Sequence, residues 1–131
     1  MSIVTLGVGD LKKSTEFYQR GLGFPLSKHS SEHISFFELQ GAWLALYPRE
    51  CLAEDAKIEG NSAPNSNFAG FTLAHNVKSE QEVDELMKIA EKAGAKVQVA
   101  PEKKFWGGYS GYFRDLDGYL WEVAYNPFFE L

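Results

Sequence analysis

The chain has 131 residues, enough for one domain with a sizeable core and too few for two independent ones. Its 44% hydrophobic and 15% aromatic content reads as globular, and 13 basic against 18 acidic side chains leave a net charge of −5. Basic residues adjoin only in the pairs Lys12-Lys13 and Lys103-Lys104, so nucleic acid is not an expected partner. The single Cys51 excludes an internal disulfide and a cysteine-rich zinc site. No apolar run approaches the ~20 residues of a membrane span. The opening MSIVTLGVGDLKK also lacks the basic-then-apolar order of a signal peptide. A soluble, cytoplasmic protein with no membrane partner is the expectation.

In chain order, Ile3 to Val8 is rich in β-branched and aliphatic residues and predicts a strand closed by Gly9-Asp10. Asp10 is a good helix N-cap, and Leu11, Phe17, Tyr18 and Leu22 follow at helical spacing until Gly21 and Gly23 end the helix. Three strands are expected next: PLSKHS, His33 to Leu39, and Ala42 to Pro48, the last two joined through Gln40-Gly41 as a hairpin. Residues 51–68 are rich in Asn, Ser, Ala, Pro and Glu with little periodicity, and read as a linker that could act as a lid.

The order then recurs. Gly70 to Val77 predicts a strand, and Ser79 with Glu82 has the spacing of a capping box. Val83, Leu86, Met87 and Ala90 form an apolar stripe that ends at Gly94. The strand KVQVA, a loop through EKKFWGG, the strand YSGYFRD, a turn at Leu116-Asp117-Gly118 and the strand YLWEVAYNP complete the second half. Both halves read βαβββ, giving an α+β fold of two modules, 1–50 and 69–131, within a single domain 1–131. With Val8 laid on Val77, Ile3 falls on Thr72. With Tyr47 laid on Tyr125, Leu44 falls on Glu122.

The duplication, the opening VGDLKKSTEFYQRGLGF and the ending SGYFRDLDGYLWEVAYNP resemble the vicinal oxygen chelate superfamily, which includes glyoxalase I, fosfomycin- and bleomycin-resistance proteins and extradiol dioxygenases. Leu116 stands where the family's YFxDPDGxxxE pattern has Pro. The resemblance implies two modules forming a partly open, barrel-like sheet around a cavity. In metal-dependent members that cavity holds a divalent ion on His, Glu or Gln side chains, one from each of four strands. Carried onto this chain, those positions fall on Ile3, Leu44, Thr72 (or its neighbours Phe71 and Leu73) and Glu122. Isoleucine and leucine offer no lone pair and threonine is a poor substitute for imidazole. No metal ligand set and no cofactor is therefore expected, with a divalent metal only under the alternative that His75 joins Glu122.

Glu122 stands out as a carboxylate within an apolar run, where an unpaired charge would cost several kcal/mol. It is the candidate catalytic residue, as a general acid or base, or else a remnant tied to a hydrogen-bonding neighbour or to solvent. Leu44 and Thr72 are expected to line the binding surface. Phe105 to Tyr112 interleaves four aromatics with three glycines, and Trp106, Tyr109 and Ser110 are candidate ligand contacts. The same hairpin, with Phe128 and Phe129, would equally suit a partner surface. The Asp115-Leu116-Asp117-Gly118 segment lacks the oxygen ligands of a calcium loop and reads as a turn. Neither His29 nor His33 falls on a family ligand position, and Cys51 has no evident His partner.

Three functions follow as expectations. The favoured one is a metal-free protein binding or acting on a small, largely apolar organic ligand through Glu122. The others are a metal-dependent lyase, isomerase or dioxygenase, and a protein-interaction domain. A homodimer is expected, with the pairing of modules within or between chains left open.

Overall fold

In a computed structural model, residues 1–60 and 68–129 are described, and they divide into two compact units, Met1–Asn65 and Ser66–Leu131. The stretch 61–67, with the lid expected there, lies outside the described residues. No helix among the described residues is long and apolar enough to cross a membrane.

The first unit runs β1 (Ile3–Val8), α1 (Leu11–Glu16), β2 (Ser35–Phe37), β3 (Trp43–Pro48) and α2 (Arg49–Asp55). Asp10 caps α1 as its sequence position suggests, its carboxylate accepting the Lys13 N–H at 3.0 Å. From Phe17 to Gly21 the helix continues as one wider π turn, in which the Leu22 N–H reaches the Phe17 carbonyl at 3.0 Å. Phe17 and Tyr18, adjacent in sequence, are both buried there. The sheet has the order β1-β3-β2, with β1 parallel and β2 antiparallel to β3.

Two expected elements differ from the sequence reading. PLSKHS contributes only a single bridge, Leu26 to Phe37, because Pro25 cannot donate to a ladder and Ser27 and Ser30 bond to the Phe36 backbone locally. Conversely, α2 occupies Arg49–Asp55, where irregular chain was expected. Its seven residues are too short to show a clear helical period, and none of them is buried.

The face of the first sheet carrying Leu6, Leu44, Leu46, Ser35 and Phe37 packs under α1 and the π turn. Ser35 shares a 2.7 Å hydroxyl hydrogen bond with Thr15 of α1. The Phe37 ring lies 6.0 Å from that of Tyr18 and 6.3 Å from that of Phe24. Phe37 is fully buried, which stabilises the unit by about 1.5–3 kcal/mol relative to exposure.

The second unit runs β4 (Leu73–Asn76), α3 (Glu80–Lys92), β5 (Lys96–Lys103), β6 (Tyr109–Arg114) and β7 (Leu120–Tyr125), in the sheet order β4-β7-β6-β5. At the start of α3 the Ser79 hydroxyl accepts the Glu82 N–H at 3.1 Å, while Glu82 reaches back to the Lys78 N–H at 2.6 Å. The helix ends in a Schellman motif: Ala95 N–H bonds Ala90 C=O at 2.9 Å, Gly94 N–H bonds Glu91 C=O at 3.1 Å, and Gly94 has φ +117°. Val83, Met87 and Ala90 of the predicted stripe are buried and Leu86 is half-buried.

Gly111 of β6 sits beneath α3 at an irregularity in the β5–β6 ladder. A Cβ there would approach the Val99 carbonyl to 2.9 Å, the Pro101 nitrogen to 3.0 Å and the Met87 Cε to 3.2 Å. Two of those three atoms are backbone and cannot swing aside. Gly111→Ala is expected to destabilise the protein by about 1–3 kcal/mol in urea unfolding, as an overpacked core does.

Candidate functional site

Strand alternation and the ladder register decide which residues share a face with Glu122. In β7, Trp121 and Val123 are buried on the α3 side, with the Trp121 ring stacked on Phe113 at 6.2 Å. Glu122 lies between them in sequence and therefore points to the opposite face. Its register partners are Ala74 of β4 and Tyr112 of β6. One step along, Ala124 stands opposite Asn76 and Ser110, and Ser110 stands opposite Glu102 of β5. The face turned away from α3 thus carries Glu122, Tyr112 and Ser110 beside the small Ala74 and Ala124.

Glu122 is half-buried, with Tyr112 as its register partner in β6. Burial, the negative charge of Glu122 and hydrogen bonding toward Glu122, in this order, push the Tyr112 hydroxyl above its ordinary value, with Lys104 opposing them. The Lys104 ammonium is ion-paired with Glu102 at 2.8 Å. Ser110 is completely buried, and its hydroxyl has no hydrogen-bond partner among the described residues. A buried hydroxyl left unpaired costs about 1–3 kcal/mol.

The expected site residues separate on this geometry. Glu122 and Ser110 come together on one face. Tyr109 does not join them: its hydroxyl donates to Asp84 of α3 at 2.7 Å, which places it on the helix side. Trp106 lies in the β5–β6 turn with its ring over Gly108, where any Cβ would collide with it. Thr72 precedes β4 and is exposed.

Leu44 requires a correction. It is 3% exposed on the α1 side of the first sheet, paired with Val4 and Phe37, so it packs in that unit's core and does not line an open face. The physical reason is a one-residue offset, which in a strand exchanges the two faces. Thr5 pairs with Ala45 as Ala74 pairs with Glu122, so the residue equivalent to Glu122 is Ala45. The face turned away from α1 instead presents Phe36, Trp43 and Tyr47, with the Phe36 and Trp43 rings 6.2 Å apart.

His75 pairs with Val123 and so lies on the opposite face from Glu122. Burial holds its imidazole below the usual value of 6.5. Among the described residues no group of three or more His, Cys, Asp or Glu side chains is placed to hold a metal ion.

Tyr112 is the site residue that sequence reasoning missed. The signal was the Asp115–Gly118 turn, in which the Asp115 carboxylate accepts the Asp117 and Tyr119 N–H groups at 3.0 and 2.8 Å. Once that turn sets Arg114 opposite Leu120, counting outward brings Tyr112 opposite Glu122.

Each of the two units is thus a mixed sheet with a helix, α1 or α3, on one side, and the second carries Glu122 on the side away from α3. The model of the Glyoxalase/Bleomycin resistance protein/Dioxygenase superfamily matches residues 1–123, and the chain belongs to that superfamily. It is 31% identical over 122 residues to the uncharacterized protein YraH of Bacillus subtilis (strain 168), covering 92% of this chain and 93% of that one. The crystal structure of a glyoxalase-related enzyme from Fulvimarina pelagi matches with a TM-score of 0.89 and 35% identity, over 100% of this chain and 91% of that chain. A hypothetical protein from S. aureus matches with a TM-score of 0.80 and 25% identity, over 96% and 92% of the two chains.

The divalent ion used by metal-dependent members does not fit the donors on these strands. Ala45 and Ala74 stand at the positions that pair or correspond with Glu122, and a single carboxylate beside a phenol is a poor set for such an ion.

The raised Tyr112 value has a defined sign. Because it lies above the unfolded value, first through burial and then through Glu122, the neutral Tyr112 phenol contributes stability fully below about pH 10, and that contribution is lost as pH rises through the folded value. In NMR of ring-labelled tyrosine, Glu122→Gln is expected to move the Tyr112 titration down toward its ordinary value of 10.0. The Tyr109 titration, governed first by its bond to Asp84, should stay in place.

Proposed function

We propose that this superfamily member binds a small, largely apolar organic molecule without a metal ion, using the Glu122–Tyr112 pair as its polar anchor. The observation that carries this reading is the pairing itself. The Glu122 carboxylate, on the face of the second sheet turned away from α3, has a phenol as its partner in the adjacent strand, and it belongs to no group of three or more His, Cys, Asp or Glu side chains among the described residues. Ala74 and Ala124 are its small neighbours on the same face, and Ser110 supplies a second polar atom. Where a proton is transferred, Glu122 acts as the base and the Tyr112 hydroxyl as the donor that returns it, a division of roles suited to a carboxylate and a phenol held in contact. A cytoplasmic homodimer belongs to this proposal, with the exposed Phe105, Phe128 and Phe129 as surface for a second copy.

Two measurements test it. Protein purified without added metal is expected to contain no stoichiometric divalent ion and to keep its melting temperature in chelator. A bound ion lost on Glu122→Ala would sink the metal-free reading. In a thermal-shift screen of small aromatic and alicyclic compounds, hits are expected to weaken about tenfold or more in Glu122→Gln and in Tyr112→Phe. Hits indifferent to both changes would place binding elsewhere.

A further inference from the structure

The hydrogen-bonding inventory of the Glu122 face selects a class of ligand. Glu122 brings a carboxylate with about four lone-pair sites, and it stands beside Tyr112 of the neighbouring strand. Ser110 brings a fully buried hydroxyl with no partner among the described residues, on the same face and one strand step from Tyr112. Lys104 is ion-paired with Glu102 at 2.8 Å, and Arg114, two residues along β6 from Tyr112, donates to Gln98 and the Gly118 carbonyl; Glu122 is a further carboxylate on this face.

We infer that the site takes a protonated primary amine carried on an apolar or aromatic body. This rests on the small-molecule reading of the Glu122 face and goes one step further, to the chemistry of the ligand's head group. An ammonium offers three N–H donors and a positive charge. One donor meets the Glu122 carboxylate in a charge-assisted bond, and another meets the Ser110 oxygen that is otherwise unpaired. A neutral alcohol supplies one donor and no charge. A carboxylate or phosphate supplies only acceptors and is repelled by Glu122, with Lys104 already engaged. Ser110 is then a specificity residue whose unpaired hydroxyl costs stability in the free protein and is satisfied on binding.

The test is an NMR titration of the full chain with a matched series, benzylamine, benzyl alcohol, benzoate and toluene, following the amides of Ser110, Tyr112 and Glu122. Benzylamine is expected to bind about tenfold or more tightly than benzyl alcohol, and benzoate not to bind. In Glu122→Gln that preference for the amine should vanish while weak binding of the alcohol persists. Ser110→Ala should raise the melting temperature of the free protein and weaken benzylamine binding, a combination that a purely structural serine would not produce. Benzyl alcohol or benzoate binding as tightly as the amine at these same amides would overturn the inference and leave the small-molecule reading standing. If no compound moves these amides, the small-molecule reading itself fails. A Ser110→Ala protein that binds benzylamine as the parent does removes Ser110 from the site and overturns its assigned role.

Discussion

Strand alternation is the constraint on which the rest depends. Side chains along a strand point to opposite faces in turn, so once Trp121 and Val123 are committed to the α3 side, Glu122 has only the other face available. The ladder then brings Tyr112 beside it. A carboxylate in an apolar strand is tolerated because this face is half-open and supplies a phenol to share its charge. The same rule puts Tyr109 and Gly111 under α3, where one bonds Asp84 and the other leaves space for Met87.

The two units apply one plan with different consequences. In each, a strand that opens the unit runs parallel to the strand that closes its sheet, and a helix covers one side. In the first, the helix side is filled by Leu6, Leu44, Leu46 and Phe37 and the free side is aromatic, with Phe36, Trp43 and Tyr47. In the second, the free side is polar at Glu122, Tyr112 and Ser110. Ala45 stands where its counterpart has Glu122, so the duplicated plan carries a carboxylate at this position in the second unit and not in the first. An anchor of one carboxylate and one phenol suits recognition and proton transfer better than ion coordination.

Under the proposed function, stability and binding pull in opposite directions at Ser110. An alanine would pack the same strand without an unpaired hydroxyl, and the position is wholly buried. The proposed ligand would repay that cost by completing the hydrogen bonding of the Ser110 hydroxyl.

The sequence by itself determined most of the fold. Local signals were sufficient for β1 at Ile3–Val8, for the Asp10 and Ser79 caps, for the Gly94 terminus and for the Gly118 turn, because each depends on residues within a few positions. It also drew attention to Glu122, as a carboxylate in an apolar strand, and to Ser110, as a polar residue in an aromatic- and glycine-rich segment. It did not reveal α2, whose seven residues are too few for a period, or the reduction of PLSKHS to one bridge, which competing serine hydrogen bonds decide. Only the tertiary structure decided faces and pairings: Leu44 inward against α1, Tyr109 held by Asp84, His75 away from Glu122, and Tyr112 against it. The physical reason is that register is a relation between strands distant in sequence. A shift of one residue, too small for composition or periodicity to detect, exchanges the two faces of a sheet.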